Sequence, residues 1–287
     1  MGLIEGWDPI NIGIDPDIGK LGGLLLTWHG VFTAVGIAVG VWVAVQFAKR
    51  VGIIEDVGYT VALVAVPAGI IGARALYVIE NYGDAGSGLH SFGDIFRINE
   101  GGISIYGAVI GGILGAWAYG FWQKLPILRG SDAGVMGLIL GMGIGRIGDV
   151  INGEHFAKTT DLPWAVVYTH ANSPSFARDP QHPAAAYELI GDVLIFLVLF
   201  GLWRVFKRDG LIFFTFAFLY SLMRLGVSSL RLDAGVWGEL RMAQIVALFL
   251  LAISVVGFAY CLRRRPEVTP AAVPEASPAP GGQQARR

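Results

Sequence analysis

The chain has 287 residues, of which 54% are hydrophobic and only 15% charged. Soluble domains carry about 25% charged residues, so the composition excludes an ordinary soluble fold and points to a polytopic membrane protein. With 21 Lys and Arg against 22 Asp and Glu, the formal net charge is −1, and nothing suggests a nucleic-acid partner.

Residues 1–22 are predicted to be an extracytoplasmic arm. They carry Glu5, Asp8, Asp15 and Asp17 where a secretory signal needs basic residues. Residues 23–262 form the expected all-α membrane domain of seven transmembrane helices. The apolar runs place the spans at about 23–48, 58–81, 101–122, 133–150, 183–203, 211–230 and 239–262. Lys49 and Arg50 follow span one, Lys124 and Arg129 lie between spans three and four, and Arg204, Lys207 and Arg208 lie between five and six. Arg263, Arg264 and Arg265 follow span seven. The positive-inside rule then puts the N-terminus outside and the C-terminus in the cytoplasm. The outer loop at 151–181 is long enough to cap the bundle. The tail, 263–287, is rich in Pro, Ala, Gly and Gln and is expected to be disordered. Glycines recur every four residues at Gly36 and Gly40, at Gly107, Gly111 and Gly115, and at Gly137, Gly141 and Gly145. Such strips let helix backbones approach closely, a packing role. The single cysteine, Cys261, reads as a small core residue.

Polar residues inside these spans are the candidates for function, because hydrocarbon penalises them. Arg74, Arg146 and Arg224 lie within spans two, four and six, each within about two turns of the outer end. The spans of opposite direction bring His29, Tyr106, His182, Tyr187 and Glu188 to the same depth, with Asp192 one turn below Glu188. Arg74, Tyr77 and Asn81 share one helix face; Tyr220, Arg224, Ser228 and Arg231 form another polar stripe. Asp149, Asn152, Glu154 and His155 crowd the end of span four. The pattern predicts an electropositive cavity near the outer leaflet. Guanidinium groups bind phosphate through paired hydrogen bonds, so an anionic phospholipid is the expected ligand. The alternative is structural pairing of the arginines with Glu188, Asp192 or Asp149. No spacing of His, Cys, Asp or Glu suggests a metal.

Six segments, in order, carry a resemblance. They are W-H-G at Trp28–Gly30, G-A-R-A-L-Y at Gly72–Tyr77, G-G-I-S-I-Y-G at Gly101–Gly107, G-R-I-G-D-V-I-N-G-E at Gly145–Glu154, H-P-A-A-A-Y-E at His182–Glu188, and Y-S-L-M-R at Tyr220–Arg224 with R-L-D at Arg231–Asp233. Together they resemble the prolipoprotein diacylglyceryl transferase family across roughly residues 20–262. The resemblance implies a multi-pass enzyme of the bacterial cytoplasmic (inner) membrane. Such an enzyme moves the diacylglyceryl group of phosphatidylglycerol to the lipobox cysteine of a prolipoprotein, forms a thioether, releases glycerol phosphate, and uses no metal or organic cofactor. It assigns Arg146 and Arg224 to the family's essential arginines and Tyr106 to the position of a candidate base, and His29, at the same membrane depth as Tyr106, is a further catalytic candidate. Arg74, Tyr77, Asp149, Asn152, Glu154, His182, Tyr187, Glu188, Tyr220 and Arg231 become candidates for substrate binding. Four positions depart from the family's usual residues: Tyr106 stands for histidine, Asp149 for asparagine, Ser228 for glutamate and His29 for tyrosine. Two other readings are a catalytically weak relative that binds phospholipid and an anion or lipid transporter. Transport is disfavoured because no charged path leads to the cytoplasmic side.

Overall fold

The computed structural model describes residues 8–22, 24–81, 92–96, 102, 104–233, 235–237 and 240–264. It is mostly helical. Among the described residues, seven helices are long and apolar enough to cross a membrane: α1 (Trp28–Arg50), α2 (Glu55–Asn81), α3 (Ile105–Trp122), α4 (Ile127–Asn152), α5 (Ala184–Leu202), α6 (Leu211–Leu230) and α7 (Met242–Arg263). Large apolar side chains such as Leu63, Ile79, Leu114, Trp122 and Phe249 are exposed on them. Such a surface suits lipid rather than water. The expected tail beyond residue 264 lies outside the described residues.

The helix starts of α1 and α4 differ most from the sequence reading. The apolar residues before Trp28 form a strand, β3 (Leu24–Thr27), paired antiparallel with β2 (Asp17–Leu21), so α1 begins later than 23. The Thr27 side chain then caps α1 by accepting from the Gly30 amide at 3.1 Å. α4 begins earlier than 133, because its polar first turns are structural. Asp132 accepts from the free amides of Gly210 (2.6 Å) and Phe213 (2.7 Å) at the start of α6, and Arg129 pairs with Asp209 at 3.0 Å.

The glycine contacts show α1 antiparallel to α4 and α2 antiparallel to α3. α1 packs along α4, with Gly36 against Gly141 and Gly40 against Gly137; a methyl group on Gly36 or Gly137 would run into the facing carbonyl. α2 and α3 meet the same way at Gly72 and Gly107. The core lies between α1, α4, α5 and α6, where Met136, Ile139 and Leu199 are fully buried beside Phe47, Ile212 and Phe216.

Small sheets lie outside the helices. β1 (Ile10–Ile12) runs parallel to β4 (Val166–Tyr168), which joins the arm to the 151–181 loop. β5 (Gly235–Trp237) pairs antiparallel with β6 (Leu240–Arg241) between α6 and α7. The loop is pinned to the end of α4: Ser173 Oγ donates to the Asn152 carbonyl at 2.8 Å, Ser175 Oγ to that of Gly153 at 2.7 Å, and the Tyr168 hydroxyl to that of Val150 at 2.8 Å. Burial pushes the Tyr168 phenol up to about 12, which keeps this donor protonated. α4 itself ends at Gly153, whose φ of 77° is the left-handed conformation suited to glycine.

Candidate active site

The starts of α1 and α5 and the ends of α4 and α6 meet below this loop. Glu188, in the first turns of α5, is at the centre. Its carboxylate is almost fully buried, and three guanidiniums converge on it. Arg146 Nη2 of α4 stands 2.6 Å from Oε2, an ion pair whose angle departs from that of a hydrogen bond. Arg224 Nη1 of α6 donates to Oε1. Arg231 Nη1, just after α6, lies 3.4 Å from the same oxygen. Buried ion pairs need such multiple partners to offset desolvation.

Asp149 forms a second junction. Its Oδ2 accepts from Arg146 Nη1 at 2.7 Å and lies 3.4 Å from His155 Nε2. Its Oδ1 lies 2.5 Å from His29 Nδ1 at the start of α1. His155, at φ 68°, stands between two guanidiniums: Nε2 is 3.1 Å from Arg146 Nη1 and Nδ1 is 3.0 Å from Arg231 Nη2. Arg231 also donates to Asp233 through Nε at 2.8 Å and Nη2 at 3.0 Å.

The arginines are therefore paired, not a bare positive pocket as their number alone suggests. Glu188, Asp149 and Asp233 stand against Arg146, Arg224 and Arg231. What the site offers an anion is unused donor capacity. A guanidinium has five N–H groups. Among the described contacts, Arg224 donates only through Nη1, which leaves Nε and Nη2 available. Tyr106 and Tyr220 are both close enough to Arg224 to interact with it electrostatically. Tyr220 is also stacked on Phe216, with ring centroids 5.6 Å apart.

Other predicted residues lie elsewhere. Arg74 donates to the carbonyls of Ile95 (2.8 Å), Gly102 (2.7 Å) and Asp94 (2.6 Å) in the α2–α3 connection, with its guanidinium 5.4 Å from the Tyr77 ring centroid. Three carbonyls held by one guanidinium make this a fold-holding contact. His182 and Tyr187 form a separate group: the Tyr187 hydroxyl is 3.2 Å from His182 Nδ1 and accepts from Trp164 Nε1 at 2.7 Å. Burial and then Lys158 hold the His182 imidazole below its ordinary value, which favours the neutral ring. Glu154 lines a small pocket with His155, Tyr168, Gln181 and His182. Asn152 is buried, its Oδ1 without a hydrogen-bond partner among the described residues, as are both Asp192 oxygens and Ser228 Oγ.

Two contributors go beyond the sequence reading, which places His155 in the polar group after span four without a role of its own and does not name Arg241. His155 was visible within the crowded motif, but motif position does not reveal that it bridges two arginines. Arg241 fixes the turn after α6 by donating to the carbonyls of Ser228 (2.7 Å) and Asp233 (3.2 Å). Its only signal was its place at the start of α7, at the same end of the bundle.

The chain is similar to known proteins. Residues 16–260 match the family described as prolipoprotein diacylglyceryl transferase. A phosphatidylglycerol–prolipoprotein diacylglyceryl transferase of Clostridioides difficile is 34% identical over 242 residues, 84% of this chain and 93% of that protein. Proteins of the same name from Thermosynechococcus vestitus and Finegoldia magna are 33% and 32% identical over 82% of this chain, covering 88% and 90% of their own lengths.

Proposed function

This chain belongs to the prolipoprotein diacylglyceryl transferase family, and from that premise we propose that it moves the diacylglyceryl group of phosphatidylglycerol to the lipobox cysteine thiol of a prolipoprotein. It is a membrane transferase. Thioether formation releases glycerol phosphate, so the site must hold a phosphate while its bond to carbon breaks. The observation that carries the reading is Arg224, anchored by Glu188 through one nitrogen with further donors unspent. Arg146 flanks it, held from both sides by Glu188 and Asp149. A phosphodiester seated there meets fixed donors, which stabilise the charge that grows on the departing oxygen. The arms of the site face the outer leaflet of the bacterial inner membrane, where secreted precursors arrive, and the tail lies in the cytoplasm. Asn152, Glu154 and the loop above them border the entry for the precursor.

The test incubates purified protein with phosphatidylglycerol vesicles and a lipobox peptide and follows peptide mass. The unaltered protein adds one diacylglyceryl group. Arg224→Ala and Arg146→Ala each lower the rate by about 100- to 1000-fold, the scale of losing one transition-state donor. Full activity in Arg224→Ala contradicts the phosphate role. No mass gain with the unaltered protein, where an active family member modifies the same peptide, contradicts the transferase reading.

A further inference from the structure

Phosphate binding accounts for the arginines but leaves the acceptor thiol without a base, since the thiolate is the attacking species. Resting on the transferase reading above, we propose that His29 takes the thiol proton and that Asp149 is the positioning residue that holds it in the form able to do so.

The contact is built into the backbone. Gly148 lies where α4 meets the start of α1, and a Cβ there would stand 2.7 Å from His29 Cα and 2.9 Å from the Trp28 carbonyl oxygen. Without a side chain at 148, the two helices close until His29 Nδ1 is 2.5 Å from Asp149 Oδ1. Thr27 fixes the other side of the same turn. The carboxylate is itself fixed: its side chain is 4% exposed, and Arg146 holds the second oxygen at 2.7 Å.

That geometry dictates the tautomer. A carboxylate only accepts, so Nδ1 carries the proton and Nε2 the lone pair. The His29 side chain is 48% exposed, and among the described residues Nε2 has no partner. The basic nitrogen is therefore not engaged by the cluster. The charged groups around the ring are Asp149 and Arg146 of α4 and Glu154 beyond it, with His155 on the far oxygen of Asp149. Two carboxylates against one guanidinium stabilise the imidazolium that forms on proton transfer, as a triad carboxylate does.

The step balances. The thiol proton moves to His29 Nε2. The sulfur forms a bond to the glyceryl carbon next to the phosphate, and the carbon–oxygen bond breaks. Its electron pair leaves with glycerol phosphate, held by Arg146 and Arg224. The proton on His29 then passes to that phosphate or to water.

A pair of peptides separates a base from a structural residue. One carries the lipobox cysteine and the other selenocysteine in its place; a selenol is ionised near neutral pH and needs no base. On the cysteine peptide, His29→Gln lowers kcat by about 100-fold or more, the usual contribution of a general base, with little change in KM for phosphatidylglycerol. Asp149→Asn lowers it by at least about tenfold, and in the double variant the two losses fall short of multiplying, because residues acting as one unit are not additive. On the selenocysteine peptide His29→Gln returns close to the unaltered rate, while Arg224→Ala stays slow; Asp149→Asn regains only the part lost through His29, because Asp149 also holds Arg146. Because the same preparations are used, recovery also shows that the variants are folded. A His29→Gln protein with unchanged kcat on cysteine overturns the proposal, as do equal deficits on both peptides. Failure of the unaltered protein on both peptides overturns the transferase reading and this proposal with it.

Discussion

Removing the charge of Glu188 leaves Arg146, Arg224 and Arg231 facing one another beside a neutral amide. Breaking one partner out of a buried charge group costs about 3–5 kcal/mol, so Glu188→Gln is expected to lower stability by that order in mild detergent, read by thermal unfolding. Arg231→Gln, which leaves Glu188 with two guanidiniums, is expected to cost less. The sequence shows each of these residues at a common depth, because spans of alternating direction carry them to one end. It does not show their company. A three-four repeat defines a face on one helix but not which neighbour that face meets. Arg74 illustrates the limit: by depth it belongs with Arg146 and Arg224, yet it binds three carbonyls of the α2–α3 connection. His182 and Tyr187 share a motif with Glu188 but meet each other, with Tyr187 accepting from Trp164.

Along α4, two glycines three residues apart meet different surroundings. Gly137 faces the backbone of α1 at Gly40 and Ala44, whereas a Cβ at Gly134 would meet nothing within 4 Å. Gly137→Ala is therefore expected to destabilise by about 1–3 kcal/mol through overpacking, and Gly134→Ala to stabilise by up to about 1 kcal/mol through helix propensity. Unfolding midpoints of the two variants in one detergent check this; equal shifts of the same sign contradict the seam. Seven apolar runs made the helices legible, and the four-residue glycine spacing identified the seams. Their ends were less legible. Apolarity does not separate a short strand from a helix start, so β3 was merged into span one. Arg129 and Asp132 read as loop because their partners, Asp209 and the first amides of α6, are about 80 residues away in sequence. The pairing of Ile10–Ile12 with Val166–Tyr168 joins three-residue strands across four helices and leaves no periodicity to detect.

At the scale of the molecule, the arm, the 151–181 loop and the Glu188 cluster share one end of the bundle, and Lys49, Arg50, Lys124, Arg204, Lys207 and Arg208 flank the other. Orientation is expected to follow the lysines and arginines. With Cys261 replaced by serine, Ile14→Cys is expected to react with a membrane-impermeant thiol reagent applied from outside the inner membrane, and Lys207→Cys only after permeabilisation. The reverse pattern inverts the protein and contradicts the outward-facing site. The pairing of Arg146 with Asp149, three residues apart on one helix, has a consequence earlier in the protein's life. Chain order brings α4 out of the ribosome before α5, so Arg146 enters lipid before Glu188 has been synthesised. A lone arginine at a helix centre costs about 2.5–3.5 kcal/mol on insertion, less near the end of a span. Asp149 supplies the missing counter-charge from within the same helix. The carboxylate that later grips His29 thus first escorts its neighbour into the bilayer, and α4 arrives as a self-neutralised segment onto which the later helices assemble.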